Sequence, residues 1–249
     1  MASVSSDAPA PPLTPAVTKL LVVADVRGRF DELFAAVAKA HAGKAGPFAC
    51  CLCVGRFFGA SDKSLHDYTE GRKSVPLPIF FVTADEGKDR ALPTDDLADG
   101  GDLGGGITFL GLSGRKTVCG LEVAYLSGTY DAAIYASGKA AALARGRYSE
   151  EAVEELLIEA HAYRRDKGVD VLLTSEWGEG VDNLVEPQLR GVVTAPHSPA
   201  VGRLGRELAP RYHFAGGQAA PLTLEPYRNH LHTSRFYGLA AGEGAVGSR

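Results

Sequence analysis

With 249 residues, 45% of them hydrophobic, the chain is long enough to bury the core of one large domain or two small ones, and we read one. A formal net charge of −4 excludes the broad basic surface that sequence-independent nucleic-acid binding requires, so any phosphate contact has to be local. No apolar run reaches the length of a membrane span and the opening residues lack a signal-peptide core, so no membrane association is expected and the four cysteines are expected to be reduced.

In chain order, the proline-rich start reads as a disordered leader over residues 1–16, and folded sequence is expected over residues 17–240. A first strand, Leu20–Ala24, leads into a helix over Phe30–His41 that sets Leu33, Phe34 and Val37 on one face. The stretch FACCLCVG gives a buried strand, Ala49–Val54, where cysteine acts as a small hydrophobe; Cys50 and Cys53 form a C-x-x-C, but with Cys119 alone elsewhere no second pair completes a zinc site. Strands follow at Ile79–Thr83 and Ile107–Leu112. The glycine-rich stretch Asp99–Ile107 precedes its strand, the reverse of a phosphate-cradling loop, and reads as a flexible connection.

After a strand at Glu122–Ser127, Ser149 caps a helix in which Val153, Leu156, Leu157 and Ala160 share a face and Arg164, Arg165 and Gly168 mark the end. Its acidic run Glu150–Glu159 is a solvated face, and the insert from Arg145 onward reads as a peripheral helix. Strands at Val169–Thr174, Tyr212–Ala215, Asn229–Thr233 and Arg235–Leu239 complete the folded region, before a glycine-rich tail at residues 241–249. Short apolar runs alternating with helical periodicity specify layered α/β or α+β packing.

Chemistry gathers where these strands end, which is where ligands bind in open α/β sheets. The first strand delivers Asp25-Val26-Arg27-Gly28, and later ones deliver CVGRFFGA, FVTADEGKD, LLTSEWGEG and RYHFAGGQA. Asp25 has the chemistry of a metal ligand, whereas Arg27 offers only donors. His213 sits between Tyr212 and Phe214 on a strand and is a satisfied structural histidine rather than a ligand.

This series resembles the calcineurin-like metallophosphoesterases, in which five strand ends carry D-x-H, G-D-x-x-D, G-N-H-[ED], a lone His and G-H-x-H around two metals. The resemblance implies a four-layer α-β-β-α sandwich whose metal site has degenerated. Asp25 matches the first aspartate, but Arg27 stands in the place of the first histidine and Arg56 in that of the bridging aspartate. Asp85 and Glu86 replace the Asn-His pair, Ser175 the lone histidine, and Gly217 and Ala219 the last two histidines. An arginine about 5 Å from a divalent ion is repelled by about 7 kcal/mol at an effective dielectric of about 20, so pairing of Arg27 and Arg56 with the remaining carboxylates is the cheaper arrangement. No metal or other cofactor is expected.

The wider chain, through LLVVADVRGRFDELF, CVGRFFG, VAYLSGT, GVDVLLTSEW, PRYHFA, PYRNH and TSRFYGLA, resembles the amino-terminal domain of the CwfJ-type, "complexed with Cef" nineteen-like, spliceosome proteins, which are similar to lariat-debranching enzymes. That resemblance implies a nuclear, non-enzymatic domain acting late in pre-mRNA splicing. Its implied partners are the debranching enzyme and proteins of the intron-lariat spliceosome, with RNA contact secondary and the domain monomeric by itself. In the family two carboxyl-terminal domains follow; here they are expected to be absent, with residues 241–249 read as a link toward them. Many family members have asparagine at the position of Arg56. Two other readings are a single-metal phosphodiesterase on Asp25, Asp85 and Glu86, and a sensor of phosphate or RNA ends using Arg27 and Arg56. For partner or RNA contact the candidates are Trp177, Tyr227, Arg228, His230 and Phe236, set against a core cap for Trp177 and an edge strand for PYRNH.

Overall fold

A computed structural model describes residues 18–59, 63–84, 99–138, 142, 146–164, 167–185 and 197–240. The elements begin with β1 (Leu20–Ala24), α1 (Phe30–Ala42), β2 (Cys50–Val54), α2 (Lys63–Thr69), β3 (Ile79–Phe81), β4 (Gly101–Asp102) and β5 (Ile107–Phe109). Next come β6 (Ser113–Val118), β7 (Leu121–Leu126), α3 (Ala132–Tyr135), α4 (Glu150–Arg164), β8 (Val171–Thr174) and α5 (Pro199–Glu207). Strands β9 (Tyr212–Gln218), β10 (Leu222–Thr223), β11 (Tyr227–Arg228) and β12 (Thr233–Ala240) follow.

Two mixed sheets result. The first has the order β1-β2-β3-β5-β4, parallel except for β4. The second runs β10-β12-β9-β8-β7-β6, with its four middle strands parallel and its ends antiparallel. A parallel sheet needs both faces covered, and β2, Cys-Cys-Leu-Cys-Val, is buried at every position.

Strand alternation distributes the second sheet's side chains between two cores. Val123, Tyr125, Val171 and Leu173 join the first sheet and α1, whose Phe30, Leu33, Phe34 and Val37 are buried. Ala124, Leu126 and Leu172 pack instead with Val153, Leu156, Leu157 and Ala160 of α4 and with Ala200, Val201 and Leu204 of α5. The protein is thus an α/β sandwich with mixed sheets and outer helices.

Four local expectations change. The stretch Asp99–Ile107 holds β4 and an ordered turn from it into β5: Asp102 Oδ1 accepts from the amide of Gly104 at 2.9 Å, and a Cβ on Gly104 or Gly105 would lie 2.4 or 2.3 Å from the carbonyl oxygens of Thr69 and Tyr68. Residues 229–232 form a turn rather than a strand, because Asn229 Oδ1 takes the amides of Leu231 and His232 at 2.8 and 2.6 Å and folds β11 back onto β12. The strands begun at Ile79 and Ile107 stop at Phe81 and Phe109, and Ser113–Val118 forms a further hairpin strand. Finally, α4 is no peripheral insert, since its apolar face is a wall of the second core. The expected leader and tail, with Asp85 and Glu86, lie outside the described residues.

Candidate functional site

The ends of β1, β2, β8 and β9 meet around one carboxylate. Asp25 is fully buried, and two of its partners lie on other strand ends. Oδ1 accepts the backbone N–H of Arg56 at 3.1 Å and that of Gly217 at 3.3 Å, while Oδ2 accepts Nε and Nη2 of Arg27 at 3.1 and 2.8 Å. Backbone bonds from Asp25 to Val54, Arg27 to Arg56 and Gly28 to Phe57 lace the two loops together.

The tightness of this arrangement explains its residue types. Asp25 and Arg27 adopt left-handed φ values of 50° and 52°, which non-glycine residues hold only where surrounding contacts over-determine them. A Cβ on Gly55 would sit 1.9 Å from Asp25 Oδ1, and one on Gly216 would sit 2.5 Å from Gly55 Cα. Gly217, at φ 85°, passes so close to the chain that a Cβ there would be 2.5 Å from the carbonyl oxygen of Ser175. The glycines let four strand ends approach until Asp25, at the end of β1, can bind the ends of β2 and β9, with the end of β8 packed against Gly217.

These residues do not fit a divalent ion. An ionised carboxylate offers about four lone-pair directions, and all are taken by N–H donors at Asp25. Among the described residues, no group of three or more His, Cys, Asp or Glu side chains is placed to hold a metal ion. Arg27, Arg56, Ser175 and Gly217 stand with Asp25 at these strand ends, and Ala219 is exposed beyond the end of β9. Ser175 is buried, and its hydroxyl has no hydrogen-bond partner among the described residues. Asp85 and Glu86 lie outside the described residues; the chain is described up to Ala84, whose amide donates to the carbonyl of Gly55.

The remaining candidates assemble elsewhere, on the outer face of the second sheet. Trp177 and Phe236 are 3% and 1% exposed, so they are core rather than contact surface: the rings meet edge-on at 5.7 Å, and a Cβ on Gly238 would strike the indole. Phe236, Tyr227, Arg228 and His230 line a cavity of about 430 Å³ between the segment from Gly178 to Leu184, α5 and the β10–β12 region. His213 is buried beside them. Thr174 Oγ1 gives its proton to the carbonyl of Glu176, so His213 Nε2, 2.9 Å away, must donate to that hydroxyl. Burial lowers the His213 pKa to about 3.

Two participants escaped sequence reasoning. Glu176 accepts the amide of Tyr130 at 2.7 Å and the phenol of Tyr148, tying the loop after β8 to the segments that precede α3 and α4. Arg206 reaches the cavity from α5, a helix whose signal was present as Ser198-Pro199: the serine oxygen takes the amide of Val201 at 3.0 Å, and proline occupies the first turn.

Fold and site together define an α/β sandwich whose strand-end carboxylate is locked by arginine and backbone amides. No family model matches the chain. It is 35% identical over 236 residues to CWF19-like protein 1 of Xenopus laevis, which covers 90% of this chain and 42% of that protein. Against CWF19-like protein 1 of Homo sapiens the identity is 35% over 231 residues, 89% of this chain and 41% of the relative. Zinc finger CCCH domain-containing protein 59 of Oryza sativa subsp. japonica is 34% identical over 261 residues, 96% of this chain and 39% of its own. These similarities support the CwfJ/CWF19 family, and the chain spans about two fifths of the length of these relatives. Among the described residues no helix is long and apolar enough to cross a membrane.

Proposed function

We propose that this chain is a metallophosphoesterase-like domain that has lost its metals and serves as a nuclear binding module in late pre-mRNA splicing, docking on the lariat-debranching enzyme or the intron-lariat spliceosome. The observation that carries the non-catalytic part is the saturation of Asp25, because the position matching the first metal ligand of the fold is a structural latch. Similarity to the CWF19-like proteins supports the pathway.

Protein contact ranks above RNA contact on electrostatic grounds. With a net charge of −4 the chain gains little from general phosphate attraction, and two arginines release few counterions. Arg27 is already committed to Asp25, which weighs against its use as a phosphate clamp. Two experiments test the reading. Metal content by mass spectrometry on protein purified without added metal, followed by manganese titration, is expected to give no stoichiometric ion and no cleavage of 2′,5′-branched or linear phosphodiesters. A stoichiometric metal, or turnover abolished by Asp25→Ala, overturns the non-catalytic part. A pull-down from nuclear extract, beside RNA titration at two salt concentrations, is expected to recover splicing proteins. Sub-micromolar RNA affinity without them reverses the ranking.

A further inference from the structure

We propose that the cavity on the outer face of the second sheet is a binding site for a nucleoside monophosphate unit, either free or at the end of an RNA chain. It is separate from the Asp25 centre and does not depend on how that centre is read.

Charge provides the first argument. Most described arginines have a partner: Arg27 with Asp25, Arg72 with Asp67, Arg115 with Glu122, Arg203 with Glu154, and Arg211 with Asp170. Arg29 pairs with Glu32, Arg147 with the Thr129 hydroxyl, Arg235 lies over the Tyr212 ring, and Arg56 is also engaged. Among the described residues whose side chains are placed, Arg206 and Arg228 are the two arginines with no carboxylate, hydroxyl or ring partner, and both line this cavity. Among the described residues of the lining Glu179 is the one carboxylate, against Arg206 and Arg228. Two guanidinium groups in the lining of one cavity suit a phosphate, whose oxygens accept in bidentate fashion.

Shape provides the second. A volume of about 430 Å³ is within the range of small-molecule sites. Gly180 and Gly205 open onto it, since a Cβ on either would meet no atom within 4 Å. Half-buried Tyr227 supplies aromatic surface beside these side-chain-free walls, the setting in which a planar base stacks.

His213 provides the third. It is 3% exposed, it lines the cavity, and its Nε2 proton is spent on Thr174. Nδ1 is therefore an acceptor with no partner among the described residues, suited to a ribose hydroxyl or a base amino group. A mononucleotide satisfies all three features, whereas inorganic phosphate satisfies only the arginines.

The test is calorimetric titration of the whole chain with adenosine and guanosine 5′-monophosphates, adenosine, inorganic phosphate, and a trinucleotide with and without its 5′-phosphate. A nucleoside monophosphate is expected to bind at least tenfold more tightly than adenosine or phosphate. Arg206→Ala and Arg228→Ala are each expected to weaken it about tenfold, and Arg27→Ala to leave it within about twofold. Gly205→Leu fills open space on a helix, so it is expected to abolish binding while leaving the melting temperature equal or higher. Tighter binding of the 5′-phosphorylated trinucleotide assigns an RNA end as the source; equal binding assigns the free nucleotide. Absence of binding at millimolar concentration, insensitivity to both arginine variants, or retention of binding in Gly205→Leu overturns the proposal.

Discussion

Replacing Asp25 by alanine separates a structural latch from a vestige of catalysis. The substitution takes a fully buried acceptor away from the partly buried amides of Arg56 and Gly217, at about 1–3 kcal/mol each. It also breaks an ion pair whose arginine is 43% exposed, so Arg27 can turn to water and the usual penalty of about 3–5 kcal/mol for a half-broken buried pair is largely relieved. The expected net loss is about 3–5 kcal/mol, a large share of a total stability on the order of 5–15 kcal/mol. Asp25→Asn keeps an acceptor for the two amides and is expected to lose about 1–2 kcal/mol. Arg27→Met strands the buried carboxylate, so in a double-mutant cycle with Asp25→Ala the pair is expected to lose much less than the sum of the singles. Urea unfolding of the wild type, the three single variants and the double variant, with and without manganese, measures these quantities. A loss below about 1 kcal/mol for Asp25→Ala, or a gain, would refute the latch, because carboxylates kept for ligand chemistry are commonly held at a cost to stability.

Gly55→Ala places a methyl against Asp25 Oδ1 in a left-handed backbone, and is expected to cost about 3 kcal/mol or more by thermal unfolding. His213 titrates near pH 3 when folded and near about 6.5 when unfolded, so the unfolded chain binds the extra proton between these values. Stability is therefore fully present above about pH 6.5 and falls by up to about 1.4 kcal/mol per unit as the pH drops, giving a loss of about 2 kcal/mol at pH ~5. Comparing unfolding at pH ~7 and ~5 for wild type and His213→Gln checks this, since the variant should lose that share of the slope. Tyr148→Phe removes a phenol shared by Glu176 and Ser198, and is expected to lower stability by about 1–3 kcal/mol in the same assay.

Much of the framework was legible in local sequence. β1 and β2 follow from apolar runs, and α1 and α4 from apolar spacing, because burial of one face imposes a period that the chain must display. The Asp25, Arg56, Ser175 and Gly217 blocks were recognisable as strand ends by the turn residues that follow them. Shorter elements were harder. Residues 229–233 read as a strand beside the edge-strand reading of PYRNH, yet Asn229 captures two amides and makes a turn. The glycines at 104–106 read as slack, whereas the missing side chains of Gly104 and Gly105 admit the carbonyls of Thr69 and Tyr68 on α2.

Sequence by itself determined that this chain forms layered α/β structure, that an arginine follows two of its strand ends, and that its surface is not broadly basic. Those properties depend on residue type and spacing along a single segment. Only the tertiary structure decided what Asp25 does, because its amide partners Arg56 and Gly217 lie 31 and 192 residues away and reach it through strand order and register. The same holds for the cavity. Arg206 on α5 and Arg228 on β11 belong to separate elements, and their convergence, like the burial of Trp177, is set by how helices and hairpins close over the second sheet. Periodicity tells a segment which face to bury, but not which distant groups will meet it there.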